Sequence, residues 1–376
     1  MPLIPPTPYG VFRYASSELT SSGFWAWIFA GLGEDAALAA GQQAVAAAIL
    51  GAVGCAAPTG AVTVETECGL SDGTGRVVGR ADLRVTYGDT EILIENKVKA
   101  MPTTEQLERY AGARTDQTGF IPLLFSTTFD DPVIDDLPGV RVGYGRLTRQ
   151  APWTIFRPED LLTAVARGRA LHPLIDDYAR SLEHLLLRRR TIRRLALSHD
   201  PEGLSEALGT HEGQWYLIRA LTAGLCADTY RGTNIGGRPW TQCCFTEDAA
   251  LGRDALFYRI DFDMGGMGEW QPYLSLQQYQ SPADDRKKAR LASLRAHALK
   301  ALRSVSDAPF YVPADTRDPQ KESAVIRFRL RETPFPDLHV FFQRFHDAFV
   351  AAAEPDRGLV RQRGERSQAI GRPHDG

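Results

Sequence analysis

Two carboxylates and an ammonium, Asp82, Glu95 and Lys97, fall where a β-hairpin gathers them onto one surface. They lie in residues 80–110, RADLRVTYGDTEILIENKVKAMPTTEQLERY. Glycine in the first central position of the loop Gly88-Asp89 suits a type II′ turn, which closes Tyr87 onto Thr90. Counting outward pairs Val85 with Ile92, Leu83 with Ile94, and Asp82 with Glu95. Strand side chains alternate, so Leu83, Val85, Ile92 and Ile94 form one apolar face. Asp82, Arg84, Leu93, Glu95 and Lys97 take the other. Directly opposed residues have Cβ atoms roughly 4.5–5.5 Å apart, a repulsive arrangement for two carboxylates unless a cation lies between them. That donor set suits a hard, oxygen-seeking ion, Mg²⁺ or Mn²⁺. Charges on an outer strand face are more often a solvated surface. Here turn chemistry and apolar pattern agree on one register, and that consistency favours a site.

Past the hairpin, residues 103–114 predict a helix opening with the capping box Thr103-x-x-Gln106. Gln106 and Tyr110 are four apart, so they share a helical face and both look toward the carboxylates. Capping is the competing role for Gln106.

Gly79-Arg80-Ala81-Asp82, Ile94-Glu95-Asn96-Lys97 and Gln106-Leu107-x-Arg109-Tyr110 together resemble the PD-(D/E)XK nuclease superfamily, most closely its bacterial restriction-endonuclease-like branch. The resemblance implies that Asp82 and Glu95 bind divalent metal, that Lys97 assists catalysis, and that Gln106 and Tyr110 line the site. It further implies a fourth acid on the first helix. The matching segment is Ser17-Glu18-Leu19-Thr20-Ser21 followed by Phe24-Trp25-Ala26-Trp27-Ile28-Phe29, which makes Glu18 that acid, with Glu65 on the preceding strand as the alternative. Ala81 departs from the family's proline. The motifs cover about the first third of the chain. The implied activity is metal-dependent hydrolysis of phosphodiesters, DNA before RNA, in restriction, anti-phage defence or repair. The alternative is a catalytically silent nucleic-acid-binding or scaffold protein that keeps the fold. Arg80 and Arg84 are candidates for phosphate contact, or for balancing the acids.

The elements that must position these groups follow from patterning. Helices are expected over 18–32 and 36–50, a strand over 61–67, and a glycine-rich turn near 69–75. The hairpin strands are 77–87 and 90–98, followed by a buried strand at 120–126, a weaker one at 140–147 and a helix at 158–166. A long amphipathic helix, 171–197, ends at Ser198-His199-Asp200-Pro201, where the domain boundary is placed. Beyond it a helix over 214–230 is expected, then strands near 240–245, 255–262 and 273–279. A helix over 284–303, strands near 310 and 324–330, and a helix over 337–353 complete the pattern. The expected organisation is an α/β restriction-endonuclease-like domain, a mixed sheet flanked by helices, over 1–200. An α+β domain over 201–354 and a disordered tail over 355–376 follow. The C-terminal half is expected to supply substrate grip or dimerisation.

With 376 residues and ordinary apolar and charged content, each half is large enough to bury a core. No apolar run reaches the roughly 18 residues of a membrane-spanning helix. The start MPLIPPTPYG lacks the basic region of a secretory signal. Five cysteines without CxxC spacing argue against a zinc site and against a disulfide framework, and Cys243-Cys244 read as ordinary strand residues in a reducing, cytoplasmic setting. Scattered histidines exclude a histidine metal centre. Asp261 and Asp263 read as a surface strand end. A net charge of −3 is no global lure for nucleic acid. The basic cluster Arg188, Arg189, Arg190, Arg193 and Arg194 suits phosphate contact or a helix C-terminus complementing the macrodipole. The expected partners are nucleic acid and either a second copy of the chain or a partner protein.

Overall fold

The structure, a computed structural model, describes residues 3–5, 18–98, 104–113, 119–129, 153–198, 200–222, 226–234, 236–245, 255–264, 270–279, 287–305, 311–313, 322–330 and 335–353. The expected strand at 140–147 and tail at 355–376 lie outside these residues. The chain forms two compact units, Pro5–Arg190 and Met1–Ile4 with Thr191–Gly376. Their boundary falls within one long helix, ahead of the Ser198–Pro201 break.

In the first unit, helices α1 (Glu18–Ala30) and α2 (Ala36–Ala52) precede the strands β1 (Thr63–Ser71), β2 (Val77–Tyr87) and β3 (Thr90–Lys97). Helix α3 (Thr104–Gly112), β4 (Phe120–Ser126), β5 (Thr154–Phe156), α4 (Pro158–Val165) and α5 (Pro173–Ala196) follow. The sheet runs β1-β2-β3-β4-β5, antiparallel through β3 and parallel from β3 to β5. This is the expected mixed α/β architecture. Helices α1, α2, α4 and α5 cover one face over Leu83, Val85, Ile92, Ile94, Leu123 and Phe125. Helix α3 covers the other through Leu107 and Tyr110, against Cys68, Leu70, Ala81, Leu93 and Leu124. The aromatic run of α1 seats that helix. Trp25 is fully buried, edge-on to Phe125 at 4.7 Å and to Tyr178 at 5.5 Å. Such pairs add about 0.5–1.5 kcal/mol each beyond area burial.

The hairpin register is the one counted from the turn: Tyr87 faces Thr90, Val85 faces Ile92 and Leu83 faces Ile94. Gly88 has φ 51°, while Asp89 is not among the positive-φ residues, as a type II′ turn requires. Strand β1 extends beyond the expected 67 to Ser71, because Asp72 makes the reversal. Its Oδ1 accepts from the Thr74 amide and hydroxyl and from the Arg76 amide.

In the second unit, the expected helix over 214–230 is replaced by α6 (Pro201–Leu208), α7 (His211–Leu221) and the strand β6 (Cys226–Thr233). Asp200 caps α6 by accepting from the Glu202 and Gly203 amides, and Thr210 caps α7 by accepting from Gly213 N–H. Strands β7 (Pro239–Phe245), β8 (Ala255–Met264) and β9 (Trp270–Tyr279), helix α8 (Lys287–Val305), strands β10 (Tyr311–Pro313) and β11 (Glu322–Arg329), and helix α9 (Phe335–Ala353) complete it. All strand pairings are antiparallel, in the order β10-β11-β9-β8-β7-β6. The four helices share a core with one face of this sheet. Asp261 and Asp263 are ion-pair partners of Arg259 at 3.0 Å and Arg327 at 2.9 Å.

Candidate active site

The site forms where the ladders on both sides of β2 are interrupted. Between β1 and β2, Thr66 faces Leu83 and Cys68 faces Ala81, but Glu67 and Asp82 between them form no ladder pair. Glu67 is the one non-glycine residue with positive φ, 52°, among the described residues. The alternation resets there. Val64 and Val85 belong to the α1/α2 core, whereas Cys68, Leu70 and Ala81 pack with α3. On the other side the ladder stops at Leu83–Ile94, so the expected Asp82–Glu95 backbone pair does not form. Asp82 Oδ2 instead accepts from the Asn96 amide at 2.7 Å. A side chain replaces the backbone acceptor and frees strand β2 to turn its acid toward β3.

Among the described acids Glu95 is the most enclosed, with its side chain 2% exposed. Its Oε1 accepts from Lys97 Nζ at 2.8 Å and from Gln106 Nε2 at 2.8 Å. Its Oε2 is buried and has no hydrogen-bond partner among the described residues. Burial, joined by the charge of Asp82, pushes the Glu95 carboxyl up to about 7, against the opposing pull of Lys97. Burial raises Asp82 as well, partly offset by the Asn96 amide and Lys97. Burial acts to lower Lys97, but the carboxylates of Glu95, Glu18 and Asp82 together outweigh it, and the ammonium is held above its ordinary value.

Glu18, at the start of α1, brings Oε2 to 3.8 Å from Lys97 Nζ. Gln106 Nε2 also donates to the Tyr110 hydroxyl at 3.1 Å, which donates to the Arg80 carbonyl at 2.7 Å. Gln106 thus reaches across to Glu95; its supposed capping partner Thr103 lies outside the described residues. Tyr110 is buried, its hydroxyl given over to this relay. The relay needs Gly79, where a Cβ would lie 2.4 Å from Tyr110 Cε1.

The structure therefore brings together Asp82, Glu95, Lys97, Glu18 and Gln106. Arg80 pairs with Glu67 at 2.8 Å, and Arg84 with its cross-strand neighbour Glu65. Of the basic cluster, Arg188 donates to the Pro5 carbonyl at 2.8 Å, and buried Arg189 donates to the Thr127 carbonyl. Arg190, Arg193 and Arg194 are exposed, and Arg193 lies over the Tyr216 ring at 5.8 Å.

Sequence reasoning missed Asn96 and Glu67. Asn96 stands in the same strand phase as Ile92 and Ile94, and a polar residue in an apolar phase was a readable signal. Nothing local announces a left-handed glutamate within a strand.

The donor set fits a divalent cation. A buried carboxylate oxygen without a partner beside a second carboxylate is a costly arrangement that a hard cation relieves. Among the described residues, no three acidic, histidine or cysteine side chains converge as a ready-made cage. Mg²⁺ commonly takes one or two carboxylates and completes its shell with water and phosphate oxygens.

Asp82, Glu95 and Lys97 thus stand together at one end of the mixed sheet. Residues 9–120 match the model of the PD-(D/E)XK nuclease superfamily, a segment spanning α1 through α3. No curated protein and no solved structure matches the chain. Among the described residues no helix is long and apolar enough to cross a membrane.

Proposed function

We propose that the first unit is a divalent-metal-dependent nuclease that hydrolyses phosphodiester bonds, in DNA before RNA. The observation that carries this reading is the Glu95 carboxylate, with one oxygen held by Lys97 and Gln106 and the other left open beside Asp82. Asp82 and Glu95 would hold Mg²⁺ or Mn²⁺, with Glu18 as a further acid. When bound, such an ion polarises the scissile phosphate and lowers the pKa of a coordinated water. Lys97 contributes a fixed positive charge that opposes charge developing on the phosphate oxygens. Gln106 fixes the rotamer of Glu95, and Tyr110 fixes Gln106, so the carboxylate is oriented before any ligand arrives. A role in prokaryotic defence or repair accords with the family resemblance.

The test is cleavage of circular, linear and single-stranded DNA, and of RNA, with Mg²⁺ or Mn²⁺ and with chelator. Metal-dependent cleavage that disappears in Asp82→Ala supports the proposal. Cleavage unchanged in Asp82→Ala, or absent under every condition, overturns it.

A further inference from the structure

Resting on the nuclease reading of this site, we propose that Asn96 is a positioning residue that docks the start of α1 and so carries Glu18 to the Asp82–Glu95–Lys97 centre. Strand alternation turns the Asn96 side chain away from its neighbours Glu95 and Lys97, toward α1. There it is 1% exposed, yet its hydrogen-bonding groups are used. Nδ2 donates to the Glu18 carbonyl at 3.2 Å and to Ser22 Oγ at 3.1 Å. Oδ1 accepts from Ser21 Oγ at 3.3 Å. Ser22 Oγ in turn donates to the Glu18 carbonyl at 2.8 Å, which closes a ring of bonds around the first turn of α1. Ser21 and Ser22 are themselves buried, so this polar cluster sits within an otherwise apolar helix–sheet contact.

The same residue's backbone amide donates to Asp82 Oδ2. One position therefore sets Asp82 through its main chain and the Glu18 backbone through its side chain. Apolar packing alone would not do this for Glu18. The anchor Trp25 lies seven residues along α1, about 10 Å away at the helical rise. An apolar residue at 96 would satisfy the core and leave the helix start, and with it the Glu18 carboxylate, free to shift relative to Lys97.

A polar plug that merely stabilises the fold is the competing role, and a double-mutant cycle separates the two. Asn96→Ala, Glu18→Ala and the double variant are compared by Mn²⁺ affinity without substrate, from titration calorimetry, and by kcat and KM for cleavage. Losses of the size seen when groups supporting metal ligands are removed, about tenfold to hundredfold, are expected for Asn96→Ala. They should fall on Mn²⁺ affinity and kcat rather than on KM. The double variant should be no worse than Glu18→Ala, because Asn96 then has nothing left to position. Should Asn96→Ala fail to fold, Ser22→Ala, which removes two bonds of the ring, takes its place in the same cycle. Losses that multiply in the double variant overturn the inference, as does a Glu18→Ala protein unaltered in both readouts. Wild type that binds Mn²⁺ but cleaves nothing ends the nuclease reading, while the Mn²⁺ cycle still decides the role of Asn96. Wild type that neither binds nor cleaves ends both.

Discussion

Lys97 Nζ lies 2.8 Å from Glu95 Oε1, with the two side chains 14% and 2% exposed. The pair is thus largely withdrawn from water, and Asp82 adds a second negative charge beside it. One ammonium faces two carboxylates, so the metal-free centre holds a proton on Glu95 more tightly than a free carboxyl would. The tension is resolved either by that proton or by a cation.

The first prediction follows from this proton. The Glu95 carboxyl stands at about 7 in the folded protein, against an ordinary 4.5. Between those values the folded state holds a proton that the unfolded state has released, so stability falls as pH rises across the window. The contribution is complete below the unfolded value and gone above the folded one, with a slope of at most about 1.4 kcal/mol per pH unit. Asp82 is raised and acts in the same sense. Lys97, raised as a base, loses its contribution only above the ordinary lysine range, outside this window. Chemical denaturation of metal-free protein across about pH 5–7 should show a steeper decline in wild type than in Glu95→Gln, which cannot titrate. Equal slopes would show that Glu95 is not the buried acid described.

A second prediction concerns Gly79. A Cβ there would lie 2.4 Å from Tyr110 Cε1, and that ring positions the Tyr110–Gln106–Glu95 relay. Gly79→Ala should destabilise the fold by about 1–3 kcal/mol, the usual cost of overpacking a tight contact. It should also lower cleavage more than Tyr110→Phe, which deletes only the hydroxyl. Thermal melts and initial rates of the two variants check this, and a Gly79→Ala protein with wild-type melting temperature contradicts it.

Much of the centre was legible because it is built from local rules. The Gly88-Asp89 turn fixes the register, the apolar residues agree with it, and Gln106 and Tyr110 fall on one helical face. What was not legible depended on backbone distortion and on distant segments. The Asp82–Glu95 pair assumed a regular ladder, whereas the interruption at Glu67 and Asp82 lets a side chain replace a backbone bond. The replacement of the helix over 214–230 has the same kind of cause. Cys226, Thr229 and Tyr230 pair with β7 across the sheet, and that long-range contact overrides a local helical pattern. Strand β5 is three residues long, too short for any periodicity to declare it.

Glu67 supplies a third prediction. A left-handed conformation costs a non-glycine residue about 1–2 kcal/mol, and strained residues collect at functional sites. Glu67→Gly relieves that strain, whereas Glu67→Ala keeps it and loses the same ion pair with Arg80. The glycine variant should therefore be the more stable of the two by about 1 kcal/mol, a difference readable by urea denaturation. An alanine variant as stable as the glycine one would mean that position 67 carries no such strain.

The last prediction separates metal binding from chemistry. Asp82 and Glu95 are oxygen donors, but the Lys97 ammonium is not a ligand. A hundredfold excess of Mn²⁺ over its dissociation constant should stabilise wild type by about 2.7 kcal/mol. The effect should weaken as pH falls below about 7, where protons compete for Glu95. Asp82→Ala and Glu95→Ala should lose both cleavage and most of this shift. Lys97→Ala should lose cleavage yet keep the shift, and its metal-free form should be less stable than wild type, because Glu95 Oε1 loses its cationic partner. Melting curves with and without Mn²⁺, run beside a cleavage assay, read both quantities on the same samples. Retained cleavage in Lys97→Ala, or an undiminished Mn²⁺ shift in Asp82→Ala, would assign the chemistry to other residues.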